Sequence, residues 1–177
     1  MRPLKKPLRK QQLRSLPFIT FMLHFFCMKV YLDVCCLNRP FDDQGQERIR
    51  LEAEAVLLIL TRLQAGEWQW LSSEVVEDEI VQTPDPKRRE RVQNLVTHAH
   101  DSFKLTETEI ERAIELRSLG FGDMDALHLA CAESGQVDVL LTTDDKLIHL
   151  ASRLAERLHV LVDNPLNWLV TQKEAQA

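Results

Sequence analysis

Lys29-Val30-Tyr31-Leu32-Asp33 is a short β-rich run that ends on an acid, and the rest of the chain can be read outward from it. β-Branched and aromatic residues favour extended backbone. An acid at the carboxyl end of such a strand falls where open α/β sheets bind their ligands. Downstream, short apolar runs alternate with amphipathic stretches, the pattern of an α/β domain with a largely parallel sheet. The spacing predicts a helix over Glu47–Gln64, with Leu51, Ala55, Leu58 and Arg62 on one side and Val56, Ile59, Leu60 and Leu63 widening the apolar stripe. Gly66 ends it. Residues 68–71 read as a strand, and Ser72 or Ser73 caps a helix over 74–82 that Pro84 and Pro86 stop. A helix over 87–98, a short strand over 103–105 and a capping box of Thr106 with Glu109 follow, the last opening a helix to Leu119. Gly120-Phe121-Gly122 breaks the chain before a helix from Asp123 to about Ser134. Residues 137–142 form a strong strand, then Asp144 and a helix to about Arg157, a final strand over 159–162, and a close at Asn164-Pro165.

The chain of 177 residues suits one domain with a proper core. With 45% hydrophobic and 28% charged residues and only 5 Gly and 7 Pro, low-complexity, collagen-like and disordered classes are excluded. The net charge of −5 hides an asymmetry: residues 1–27 hold six bases and no acid, which leaves 16 basic against 27 acidic residues beyond them. So acidic a body is no general phosphate-binding surface, and metal ions or a local basic patch must offset the repulsion if it handles nucleic acid. Cys27, Cys35, Cys36 and Cys131 lack the paired spacing of a zinc site and read as reduced, mostly buried thiols of a cytoplasmic protein.

Residues 1–14 are basic and residues 16–27 apolar, a run shorter than the roughly 20 residues that cross a bilayer. The segment imitates a secretory signal, yet no small-residue cleavage site precedes Met28. Met28 reads as a natural start running into the first strand. The reading therefore favours an upstream extension or tail over a signal, a membrane-surface anchor or an integrated helix. It expects a domain over 28–170, a polar tail over 171–177 and no stable membrane association.

Asp33 and Asp144 each follow an apolar strand, so both can face one crevice. Asp125 lies in the first turn of its helix, and Glu79 on a helix that directly follows a strand. Three or four carboxylates fit one or two hard divalent cations. No H-E-x-x-H, P-loop, G-x-G-x-x-G or G-x-S-x-G offers other chemistry.

Tyr31-Leu32-Asp33-Val34, Ser73 with Glu79-Ile80, Asp125-Ala126-Leu127-His128-Leu129-Ala130 and Leu141-Thr142-Thr143-Asp144 resemble, in this order, the four acidic blocks of the PIN-domain nucleases. Many of that family are VapC-like toxins of toxin–antitoxin pairs. The resemblance spans about 28–170 and implies a three-layer α/β/α sandwich with a mainly parallel central sheet. It implies a Mg²⁺- or Mn²⁺-dependent endoribonuclease, with metal on Asp33, Glu79, Asp125 and Asp144 and polar support from Asn38 and Thr142 or Thr143. The ending Asn164-Pro165-x-x-Trp168 is also similar to the close of many PIN chains. Cys35-Cys36 departs from the small hydroxyl or amide residue of many relatives and leaves the contacts around the first acid open. A toxin role implies an antitoxin partner, and a homodimer rests on the resemblance alone.

Each residue also has a plainer role. Asp144 competes with a helix-cap role, and Asp145 beside it could take either job. Asp123 is the natural N-cap of its helix and can also bind an outer water, with Asp125 as the ligand. Glu79 shares its helix with Glu74, Glu77 and Asp78 and can belong to a solvated acidic face. His128, three residues after Asp125, reads as packed or hydrogen-bonded rather than a ligand. Lys87, Arg88, Arg89, Arg91 and Lys146 are the candidate RNA phosphate contacts, against a solvated helix start. The alternative to an enzyme is a non-catalytic PIN-like module that binds RNA or a protein. A different phosphate-ester hydrolase would want an Asp-x-Asp pair, absent because Asp33 is followed by Val34 and Cys35.

Overall fold

A computed structural model describes residues 28–175, so the expectation for 1–27 lies outside the described residues, as do residues 176–177 of the predicted tail. Five strands, β1 (Lys29–Leu32), β2 (Gln69–Ser73), β3 (Asp101–Phe103), β4 (Val139–Leu141) and β5 (Leu161–Asp163), form one parallel sheet in the order β3-β2-β1-β4-β5. Parallel strands covered on both faces must be apolar throughout. Accordingly Val30, Tyr31, Leu32, Leu140 and Leu141 are all at most 1% exposed. Parallel neighbours also need long crossovers, and eight α-helices supply and flank them among the described residues. They are α1 (Val34–Asn38), α2 (Glu47–Gln64), α3 (Glu74–Val81), α4 (Pro86–Val96), α5 (Glu107–Ser118), α6 (Asp123–Ser134), α7 (Asp145–Arg153) and α8 (Pro165–Ala175). The result is the expected three-layer α/β/α sandwich.

The chain walks outward from β1 to β2 and β3, then returns to pair β4 with the free side of β1. Leu32 lies opposite Leu141, and Tyr31 opposite Leu71. The direction of winding therefore reverses between β1 and β4, and a crevice opens beyond their carboxyl ends. Side chains alternate along a strand: Tyr31 turns toward His128 of α6, and Val30 and Leu32 toward the other layer, where α2 packs on α8.

Helices α2 and α6 match their predicted limits, and Gly66 takes φ 74° just past α2. Ser73 caps α3 by accepting the Val76 N–H at 3.4 Å, and Glu109 Oε2 accepts the Thr106 N–H at 2.9 Å. The strand expected over 103–105 lies at Asp101–Phe103, the helix expected to reach about Arg157 ends at Arg153 ahead of a 3₁₀ turn over Ala155–Arg157, and other features differ as well. Asp33 opens the short helix α1, which runs into a 3₁₀ turn over Arg39–Phe41, both too brief to show a period in the sequence. The N-cap of α6 is Gly122 (φ −64°, ψ 162°), and Asp123 is already helical. Asn164-Pro165, expected to close the final strand, also begins α8: Asn164 Oδ1 accepts the Leu166 N–H at 2.9 Å, and proline suits a first helical position. That helix runs past the expected boundary at Val170 to Ala175. None of the helices among the described residues is long and apolar enough to cross a membrane.

Glu52, 1% exposed on α2, gathers the loops below the crevice. Its Oε2 lies 3.0 Å from Arg39 Nε, and its Oε1 accepts from Arg48 Nε and Asn164 Nδ2, both at 2.8 Å. Arg48 continues to Asp145 at 2.7 Å, which ties α2 to the start of α7. On the other layer Glu109 joins the start of α5 to the end of α6 by accepting the Ser134 hydroxyl at 2.5 Å.

Removing Glu52 leaves its arginines without the buried partner, so Glu52→Ala should lower unfolding stability by on the order of 3 kcal/mol in urea titration. The Ser134 hydrogen bond, with those from Thr106, lowers the Glu109 carboxyl from 4.5 to about 2. A depressed folded-state value stabilises above the unfolded one, and that contribution is lost as pH falls through the folded one. Acid titration of Glu109→Gln should therefore show a shallower stability loss between pH 4.5 and about 2 than the parent protein.

Candidate metal centre

Asp33 sits at the carboxyl end of β1, 7% exposed, and its N–H donates to the Leu141 carbonyl at 3.0 Å, extending the β1–β4 pairing. Two neutral donors hold its Oδ2: the Thr142 hydroxyl at 2.7 Å and the Cys35 thiol at 3.0 Å. The Thr142 oxygen in turn accepts the Asp144 N–H at 3.1 Å, and the Cys35 sulfur accepts the Thr143 N–H at 3.1 Å. The Cys35 thiol thus both donates and accepts, as a hydroxyl would at that position. Cys36 and Cys131 are buried and free, and burial pushes the Cys131 thiol up to about 11, which keeps it protonated.

The other face of the crevice carries Glu79, near the end of α3. Its Oε2 meets His128 Nε2 at 2.8 Å, and the same nitrogen lies 3.8 Å from Asp33 Oδ1. Asp33, Glu79 and His128 each offer one ligand atom, all within 4.8 Å of one another, so these three could hold a metal ion. His128 is 2% exposed. Burial disfavours its charged form, but the Glu79 hydrogen bond and the charges of Asp33, Glu79 and Asp125 outweigh it and raise the imidazole above its ordinary value. The expectation of a hydrogen-bonded histidine describes it, but its partner, one of the four acids, lies far away in the chain. The available signal was its place three residues after Asp125, on the same helix face.

Asp125 is half-buried in the first turn of α6, outside that tight group. Burial raises its carboxyl, and the charges of Asp33 and Asp144 raise it further, so all three acids share one field. A Cβ on Gly122 would lie 3.0 Å from Asp125 Oδ2, so the glycine leaves room for this carboxylate. Asp144 is exposed and caps α7, its Oδ1 accepting the Lys146 N–H at 2.7 Å and the Leu147 N–H at 3.4 Å. The cap role therefore goes to Asp144, and Asp145 turns to Arg48. Asp123 is exposed and pairs with Arg117 at 2.6 Å. Among the described residues no Lys or Arg forms an ion pair with Asp33, Glu79, Asp125 or Asp144.

Beside Cys35 a cleft of about 460 Å³ is lined by Asn38, Arg39, Arg88 and Thr143 among others. Asn38 Nδ2 donates to the Val34 carbonyl at 3.1 Å. Most of the predicted basic cluster is occupied. Arg88 pairs with Asp42 at 2.8 Å, Arg89 donates to the Thr83 carbonyl at 3.2 Å, and Arg91 lies over the Phe41 ring at 5.7 Å. Lys87 and Lys146 stand exposed in the first turns of α4 and α7.

The site is thus an oxygen-rich crevice at the winding reversal of a parallel sheet, its acids left without a Lys or Arg partner among the described residues. No family model matches the sequence, and no curated protein matches it. Among solved structures, a chain of VapBC2 from Rickettsia felis, determined bound to a DNA fragment from its promoter, matches with a TM-score of 0.50 and 12% identity. The match covers 77% of this chain and 98% of that one. At that identity the likeness shows a shared fold.

The raised value of Asp125 has a consequence for stability. An acid whose folded-state value is raised costs stability at neutral pH, and the cost fades as pH falls through that value. In metal-free protein at neutral pH, Asp125→Asn should therefore raise the melting temperature, and the gain over the parent should shrink on acidification.

Proposed function

We propose that the protein is a divalent-metal-dependent endoribonuclease and the toxin half of a type II toxin–antitoxin pair. The observation that carries the reading is the convergence of Asp33, Glu79 and His128, with Asp125 and Asp144 in the same field, beyond the ends of β1 and β4. Carboxylates suit hard cations such as Mg²⁺ or Mn²⁺. Asp33, Glu79, Asp125 and Asp144 would hold the ion. Bound there, it supplies a lowered pKa for an attacking water and neutralises charge on the phosphate and the leaving oxygen.

The chain's own residues prepare this. Thr142 and Cys35 orient Asp33 through Oδ2 and, being neutral, leave its charge for a cation. Asp125, crowded by Asp33 and Asp144, stores repulsion that a cation relieves. RNA phosphates would meet Lys87 and Lys146, with Arg88 at the cleft, contacts that position a strand without reading its sequence. Buried, free thiols accord with a cytoplasmic setting. The VapBC2 neighbour supports an antitoxin as partner, and self-association belongs to the same reading.

Purified protein should cut RNA when Mn²⁺ is supplied. Asp33→Asn and Asp125→Asn should each lose at least the roughly 10–100-fold that loss of an outer contact costs a metal site. Mn²⁺ at about 100 times its dissociation constant should stabilise the fold by about 2.7 kcal/mol. Equal cutting by the parent and both variants would falsify the assignment.

A further inference from the structure

Four buried or half-buried polar groups form a continuous chain through the layer between the sheet and α6. Ser73 Oγ lies 2.6 Å from Tyr31 Oη, Tyr31 Oη lies 2.8 Å from His128 Nδ1, and His128 Nε2 lies 2.8 Å from Glu79 Oε2. Ser73 and Tyr31 are fully buried and His128 is 2% exposed. Polar groups in a parallel sheet's core are costly unless each finds a partner, and here each one does. The chain also closes on itself. Ser73 Oγ caps α3 through the Val76 N–H, and Glu79 lies on that same helix. One hydroxyl therefore anchors both the backbone that carries Glu79 and the hydrogen-bond chain that reaches its carboxylate.

The far end of this chain is the member that needs holding. The Glu79 side chain is 35% exposed and has three rotatable bonds, so alone it would sample several rotamers. His128 cannot swing with it. Its ring packs edge-on against Tyr31, with centroids 5.8 Å apart and planes at 64°, and its Nδ1 is fixed by Tyr31 Oη. A carboxylate can only accept, so the proton of the Glu79 contact is carried by Nε2. The same nitrogen stands 3.8 Å from Asp33 Oδ1, so the ring also sets the spacing between the two acids.

We propose that His128 is a positioning residue for Glu79: the buried chain Ser73–Tyr31–His128 orients the carboxylate from which a divalent cation is held. This rests on the metal-dependent reading above.

The test compares two amides at position 128. The Gln side-chain nitrogen reaches the place of imidazole Nε2, whereas that of Asn stops near Nδ1. Mn²⁺ binding is read by electron paramagnetic resonance of the free ion, with each variant's fold checked by its melting curve in EDTA. His128→Asn should weaken Mn²⁺ binding about 10–100-fold, His128→Gln should stay close to the parent, and Tyr31→Phe should fall between them. In metal-free parent protein a slowly exchanging His128 Nε2 proton should be visible by NMR and should vanish in Glu79→Ala. Parent-like Mn²⁺ binding by His128→Asn overturns the proposal, as does a missing Nε2 proton in the parent. A His128→Gln loss as large as that of His128→Asn also overturns it and makes the imidazole itself a ligand. A parent protein that binds no Mn²⁺ overturns the metal-dependent reading and the proposal with it, while the NMR result judges the His128–Glu79 contact separately.

Discussion

Leu32 faces Leu141 where β1 pairs with β4, and one residue further on the Asp33 N–H still donates to the Leu141 carbonyl. This short overrun of the pairing decides where everything else in the crevice sits. It brings the Thr142 hydroxyl onto Asp33, and the Thr142 oxygen in turn accepts the Asp144 N–H and so sets the start of α7. A slip of one residue would send Asp33 to the other face of the sheet and separate these groups. The apolar side chains of β1 and β4, buried on both faces, hold the register far more firmly than the polar contacts could. The site's geometry is thus inherited from the core.

The acidic character of the domain is handled in two ways. Away from the crevice, acids are matched to arginines: Glu52 with Arg39 and Arg48, Asp42 with Arg88, Glu133 with Arg112. In the crevice the partners are a hydroxyl, a thiol and an imidazole. The contrast separates acids paired with guanidinium groups from acids held in place without one. It also explains why the basic cluster of α4 counts for less than its sequence density implies, since Arg88 and Arg89 are engaged with the chain itself.

Much of this was legible in the sequence because periodicity and strand ends are local signals. The apolar stripe of Glu47–Gln64, the capping box at Thr106 and the acid closing 29–33 each depend on a few neighbouring residues. That Asp33 and Asp144 stand at strand ends able to face one crevice followed from the α/β alternation, whereas the order of the strands did not. What stayed hidden was non-local or too short. The run Val34–Asn38 has too few residues to show a helical period, and Asn164-Pro165 looks the same whether it only ends a strand or also starts a helix. The contact of His128 with Glu79 joins residues 49 apart in the chain. Cys35 could be seen to differ from a hydroxyl, but not to take over its hydrogen bonds.

The bond from Thr142 to Asp33 spans 109 positions of the chain. A nascent polypeptide therefore carries its first acid long before the partner that orients it has been made. Non-local pairing is slow to form, and chains emerge N-terminus first. Strands β1, β2 and β3 can meet early, but they leave the β4 side of β1 open until residues near 140 are synthesised. The crevice is consequently among the last regions to close, so a ribosome-bound chain lacks the assembled centre until most of its length has been translated.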